Sequence, residues 1–187
     1  MSLNRINSRS PDAGGWLPHI PKSLPAVLQA WLGETGSLTR RVQSICSSAQ
    51  PFSLRLLAHD FSLPHRDEVT LLQTHQRVRS REILLQRGSV PLVFAHSVVA
   101  RRDLRGAWTS MDGVGGRSLG SVLFADHRVV RGALHFKRLD ARHPLFQKAL
   151  PWCGVAPKEL WARRAVFSRY GKPLAVTEVF LPSILSL

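Results

Sequence analysis

An α+β fold, a single domain with a mainly antiparallel sheet of about six strands, is predicted by three observations. Apolar residues recur at helical spacing near the start of the chain. Alternating apolar and polar residues then dominate most of the remaining chain. The alternating runs lie next to one another and are joined by short Gly- and Pro-containing turns, which is the signature of hairpins.

The first helix is expected in "SLPAVLQAWLG". Ser23 is a candidate cap, Pro25 suits the first turn, and Leu24, Val27, Leu28, Trp31 and Leu32 form one stripe that Gly33 closes. "GSLTRRVQSICSSA" continues as a second helix, capped by Ser37, with Leu38, Val42, Ile45 and Cys46 at helical spacing. "PFSLRLLAH" alternates as a strand, and a polar loop is expected around "LPHRDE". "RVRSREILLQ" and "PLVFAHSVVA" read as a hairpin across "RGSV". A Gly-rich segment with a helical turn comes next, then the strand "VVRGALHFKRL" and a short helix in "RHPLFQKALPWCG". "ELWARRAVFSRY" and "LAVTEVFL", joined by "GKP", form the last hairpin. Residues 1–21, rich in Ser, Pro, Gly and Asn, are expected to be a flexible tail ahead of a domain over 22–187.

Composition narrows the class. At 187 residues the chain can bury one sizeable core. It contains no apolar run of the roughly 18 residues that a spanning helix needs, and "MSLNRINSRSPDAGG" lacks the apolar centre of a signal peptide. A cytoplasmic protein without membrane insertion is expected. Cys46 and Cys153 form no CxxC and suggest neither a disulfide framework nor a zinc site. The formal net charge of +14 invites a nucleic-acid reading, but the arginines are scattered and no basic run forms. A positive field serves equally well to attract a small anion, so no nucleic-acid partner is expected.

Two charges stand out against their strands. In "KPLAVTEVFLP", Glu178 shares a face with Leu174, Val176 and Phe180; in "RSREILLQ", Arg81 shares one with Ile83 and Leu85. A buried carboxylate must be paired, hydrogen-bonded or protonated, and a buried guanidinium matches a carboxylate bidentately. Two readings are open: Arg81 and Glu178 are a structural ion pair, or they line opposite ends of a pocket and grip the two ends of a small polar ligand.

"DGVGGRSLG" (Asp112 to Gly120) is no nucleotide-binding loop, because the Lys-Ser/Thr pair that would come after the glycines is missing. It reads as a flexible connection or as a flap whose backbone N–H groups meet an anion. His59, His65 and His75 share no helix face, so no metal site is predicted.

Several stretches resemble the chorismate pyruvate-lyase family. They are "REILL" (81–85), "VGGRSLGSVLF" (114–124, similar to LGxxPLGxxLF), "LWARRAVFSRYGKPLAVTEVFLP" (160–182) and "WLGETGSLTRRV" (31–42). Together they cover most of residues 24–182, and the C-terminal block is the most specific. The resemblance implies a six-stranded antiparallel sheet with helical flaps over a buried site. It implies conversion of chorismate to 4-hydroxybenzoate and pyruvate, the entry to ubiquinone synthesis, without a cofactor; a monomer is expected. It places ligand contacts at Arg81, Glu178, Leu119 and Leu38, the last two through backbone as well as side chain, with Arg81 and Glu178 as the catalytic pair. Leu38 stands for the usual Met, Ser118 for Pro, and His96 for an Arg in the second hairpin strand. The effector domains of some bacterial regulators resemble the same fold; they come after a winged helix, for which the twenty or so residues ahead of the first helix are too few.

Overall fold

The computed structural model describes residues 15–187. Two short helices come first, α1 (Ala26–Leu32) and α2 (Leu38–Ser44), followed by β1 (Phe52–Ser62) and α3 (Arg66–Leu72). A long hairpin, β2 (Val78–Arg87) and β3 (Val90–Ala100), leads into a helical segment with α4 (Ser110–Gly113) and α5 (Leu119–Ala125). Two short strands, β4 (Val129–Arg131) and β5 (His135–Leu139), and α6 (Pro144–Ala149) precede the final hairpin of β6 (Leu160–Arg169) and β7 (Lys172–Phe180).

All seven strands join one antiparallel sheet in the order β1-β2-β3-β7-β6-β4, with β5 also on β6. The sheet is six positions wide, because β4 and β5 share one edge. β4 pairs with Phe167–Arg169 and β5 with Leu160–Arg164. The single strand expected over "VVRGALHFKRL" is therefore broken. Gly132 donates its N–H to Val166 O, and a Cβ there would lie 3.1 Å from that oxygen, so the chain crosses β6 at a close approach that favours glycine.

Turn chemistry sets the register of both hairpins. Tyr170 and Gly171 both have positive φ (51° and 72°), the pattern of a two-residue turn whose twist matches the flanking strands. The turn thus falls one step before the expected "GKP", and Lys172 and Pro173 belong to β7. Gly88, at φ 56°, opens the two-residue turn between β2 and β3.

Each face of the sheet is covered. On one face Ile83, Leu85, Ala95 and Phe180 pack under α1 and α2, while Val99, Phe167 and Leu174 pack under the 104–123 segment through Trp108, Met111, Leu119 and Leu123. On the other, Leu84, Phe94, Ala162 and Val179 pack against α6 and Trp16, and Val98 and Ala175 against Leu72 of α3. α3 occupies the stretch expected to be a polar loop. Its polarity is that of a helix start: Asp67 and Glu68 lie in the first turn, and Glu68 Oε2 accepts the His65 N–H at 2.9 Å.

Other boundaries also shift. α1 starts at Ala26 with Pro25 in the cap position, so Ser23 lies outside it; Ser37 does cap α2, accepting from the Arg40 N–H. The end of the expected tail is seated in the fold. Trp16 is buried, its indole N–H donates to Asp67 Oδ2 at 2.7 Å, and Leu17 bridges to Phe136. Residues 1–14 lie outside the described residues.

Candidate active site

Period-two alternation carries Arg81 and Ile83 on β2, Ala95 and Ser97 on β3, Val176 and Glu178 on β7, and Arg163 and Ala165 on β6 to one face of the sheet. They form two parallel rows. Arg81, Ser97, Val176 and Ala165 are directly opposed across the four strands, and so are Ile83, Ala95, Glu178 and Arg163. Two strand spacings and a two-residue offset put the Arg81 and Glu178 backbones about 12 Å apart.

The cavity over these rows is roofed by the loop entering α2 and by the start of α5. Leu38 and Leu119 project into it from opposite roof pieces, above Arg81, Ile83, Arg163 and Glu178. All four residues singled out in the sequence, Arg81, Glu178, Leu38 and Leu119, therefore line one cavity. The roof pieces touch each other: Thr39 Oγ1 and Ser118 Oγ are 2.9 Å apart. Ser118 thus ties the two roof pieces together.

Arg81 and Glu178 do not pair with each other. Glu178 Oε2 accepts from Arg163 Nε at 2.5 Å, and Arg163, only 2% exposed, also donates through Nη1 to Leu32 O and Glu34 O behind α1. The Glu178 side chain keeps 19% exposure toward the cavity. Arg81 is 1% exposed, and among the described side chains no carboxylate lies within ion-pair distance of it. Its Nε and Nη2 donate instead to the carbonyls of Gly115 and Arg117, at 2.7–3.3 Å. The Gly-rich segment therefore meets the cavity's cation with carbonyl oxygens, not with N–H groups meeting an anion. Gly115 sits at φ 52°, a left-handed conformation that glycine adopts without strain. Burial lowers the Arg81 pKa, because the charged guanidinium loses solvation there.

Arg131, half-buried at the same cavity, adds a third guanidinium; burial and the neighbouring Arg163 lower its pKa. Neither Arg131 nor Arg163 was singled out by sequence reasoning, although the "RR" of "LWARRAVF" offered a signal. In a strand the two arginines must point to opposite faces. Arg163 meets Glu178 under the flaps, and Arg164 meets Asp67 (3.0 Å) and Thr177 on the far face. His96 belongs to that far face as well and lies outside the cavity.

The arrangement is a roofed pocket with a cation that meets no carboxylate among the described side chains at one end, a carboxylate held by its own arginine at the other and apolar walls between, as suits a flat anion with a polar group opposite its charge. The fold is shared with solved domains of transcriptional regulators. The C-terminal domain of PhnF aligns with TM-score 0.55 at 13% identity, covering 71% of this chain and 84% of that one. A GntR-family transcriptional regulator from Bacillus cereus aligns with TM-score 0.53 at 13% identity, covering 71% and 92%. These likenesses concern the fold alone.

The chain belongs to the chorismate lyase family, whose profile matches residues 12–186. A probable chorismate pyruvate-lyase from Nitrosospira multiformis is 45% identical over 174 residues, covering 92% of this chain and 95% of the relative. One from Aromatoleum aromaticum is 42% identical over 184 residues, covering 95% and 97%. The protein is thus a lyase that acts on chorismate. No helix among the described residues is long and apolar enough to cross a membrane.

Proposed function

We propose that the protein converts chorismate to 4-hydroxybenzoate and pyruvate as the first committed step of ubiquinone synthesis, acting in the cytoplasm as a monomer. The observation that carries the reading is the buried guanidinium of Arg81, without a carboxylate partner among the described residues, facing across the cavity from the Arg163–Glu178 pair. Chorismate presents a ring carboxylate at C1, an enolpyruvyl ether at C3 and a hydroxyl at C4. Arg81 takes the ring carboxylate, its fork turning from the Gly115 and Arg117 carbonyls to the stronger acceptor. Glu178, one oxygen held by Arg163, offers the other to the C4 hydroxyl. Leu38 and Leu119 close over the ring.

The reaction breaks the C3–O bond, removes the C4 hydrogen and delivers a proton to the enolpyruvyl methylene, which becomes the methyl group of pyruvate. Two products account for every atom of the substrate, so no oxidant or reductant is needed. Aromatisation supplies the driving force. The protein's task is to hold a reactive conformer and exclude water, and that is what a roofed pocket with two fixed polar ends can do.

The test is purified protein with chorismate and no added metal or nucleotide, monitoring 4-hydroxybenzoate by absorbance and pyruvate by a coupled assay. Equimolar release of both supports the reading; release of neither, or of pyruvate only with an added divalent ion, overturns it.

A further inference from the structure

The face of the sheet turned away from the cavity carries a second buried polar constellation that the lyase reaction does not use. Glu82, His96, Thr177 and Arg164 stand directly opposed across β2, β3, β7 and β6, and α3 lays His65, Asp67 and Glu68 over that row.

Three atoms converge there. Glu68 Oε1 lies 3.3 Å from His65 Nδ1 and 3.2 Å from His96 Nε2, and the three lie within 4.8 Å of one another. All three atoms are buried and make no hydrogen bond of acceptable geometry. The His96 and Glu68 side chains are each 1% exposed. Two imidazole nitrogens thus converge on one buried carboxylate oxygen at ion-pair distance, without the hydrogen bonds that buried polar groups ordinarily make.

We propose that His65 Nδ1, Glu68 Oε1 and His96 Nε2 bind one divalent transition-metal ion of the zinc type. Metal–ligand bonds of about 2.0–2.2 Å at tetrahedral angles put neighbouring donors about 3.3 Å apart; the two separations from Glu68 Oε1 match this, and the two imidazole nitrogens lie within 4.8 Å of each other. Two imidazoles and one carboxylate are a donor set suited to zinc.

The surroundings hold the ligands as such sites require. His96 turns its other nitrogen, Nδ1, to Glu82 Oε1 at 3.2 Å, the carboxylate–histidine arrangement that fixes a metal-binding imidazole. Lys148 in turn holds Glu82. Glu68 Oε2 is fixed by the His65 N–H, which leaves Oε1 for the ion. Of the nearby cations, Arg164 turns Nη1 to Asp67 and Nε to Thr177 and brings Nη2 to 3.9 Å from Glu68 Oε1, while Lys137 lies 3.8 Å from Asp67. Asp67, Glu68 and Glu82 balance Arg164, Lys137 and Lys148 in charge, so a divalent ion enters without a net positive field from these groups. An open groove lined by His65, Asp67 and His143 brings solvent to the His65 side of the cluster. The spacing of His59, His65 and His75 offers no such site; the fold assembles a different set from the start of α3 and from β3.

The ion would clamp α3 to the middle of the sheet, on the face opposite the cavity. The test uses full-length protein stripped with a chelator and dialysed, then titrated with Zn²⁺ by calorimetry and with Co²⁺ by visible absorption. One equivalent of Zn²⁺, tetrahedral Co²⁺ bands that Zn²⁺ removes, and a rise in Tm with Zn²⁺ are expected. Affinity should fall at least tenfold in His65→Ala and in Glu68→Gln, and stay unchanged in His75→Ala, which removes an exposed neighbour. Octahedral Co²⁺ spectra, no stoichiometric binding, or equal affinity in His65→Ala would overturn the proposal. If the variants fail to fold, the spectrum and stoichiometry of the unaltered protein decide it. Lyase turnover should be the same with and without Zn²⁺, so failure here is distinguishable from failure of the lyase reading.

Discussion

Arg163 and Glu178 stand directly opposite each other on adjacent strands, joined by a 2.5 Å hydrogen bond from Nε to Oε2. Arg81, two strands away on the same face, meets only backbone carbonyls among the described residues. The acid and the cation that stand out in the sequence are therefore not each other's partners. One is held by a third residue, and the other by the carbonyls of Gly115 and Arg117.

With one oxygen held by Arg163, Glu178 keeps the other for the C4 hydroxyl, and we expect it to orient that group rather than to transfer a proton. Glu178→Gln keeps the shape and an oxygen for Arg163. We expect kcat to fall less than about tenfold, with KM rising. A fall of about 10²-fold or more, the size of a general acid–base contribution, would instead make Glu178 the proton-transfer group. Steady-state kinetics on chorismate separate the two outcomes.

Removing one member of the Arg163–Glu178 pair leaves a charge without its partner. Arg163→Leu should lower stability by about 3 kcal/mol, the lower end for a broken buried pair because Glu178 keeps some solvent contact. Replacing both with apolar residues should recover most of that stability and abolish turnover. Urea unfolding of the two single variants and the double variant measures the coupling directly; a stable, active double variant would remove Glu178 from the site.

Arg81→Ala should weaken binding of 4-hydroxybenzoate about 10- to 150-fold, the range of a lost charge-assisted hydrogen bond of roughly 1.5–3 kcal/mol. Arg81→Lys should rescue little, since an ammonium cannot form the planar fork. Calorimetric titration with the product checks both; unchanged product affinity in Arg81→Ala would place the carboxylate elsewhere.

The Thr39–Ser118 contact holds the two flaps shut. A closed pocket of this shape predicts slow product release and inhibition by 4-hydroxybenzoate. Ser118→Ala should speed release by about 2- to 10-fold, the kinetic equivalent of one net hydrogen bond. Leu119→Gly should relieve inhibition further while weakening substrate binding. Stopped-flow displacement of bound product measures both rates, and equal rates in all three proteins would show that the flaps do not control release.

Trp16 packs against Ala162, Phe146 and Leu160, and its ring also lies under Arg164. Trp16→Ala should cost about 3–5 kcal/mol and lower Tm by roughly 10 °C. Thermal unfolding with little change would return residues 15–21 to the role of a tail.

By itself the sequence determined the fold class, the two strands that carry Arg81 and Glu178, the faces on which they lie, and the identity of Leu38 and Leu119 as cavity residues. The strands and faces depend on local periodicity, and period two decides a face without knowledge of the neighbouring strand. Leu38 and Leu119 were legible through the family motifs around them. Tertiary structure alone decided the partners. Counting back from the Tyr170–Gly171 turn along both strands puts Arg163 opposite Glu178, but a turn placed one residue later shifts every pair and hides the contact. The same holds, more strongly, on the far face. His65, Glu68 and His96 come from a helix start and a strand, and the polarity that builds α3's first turn reads locally as a loop. Nothing in their spacing brings them within 4.8 Å. That closeness comes from the sheet's strand order and from the packing of α3 across it, which are properties of the whole chain and not of any stretch of it.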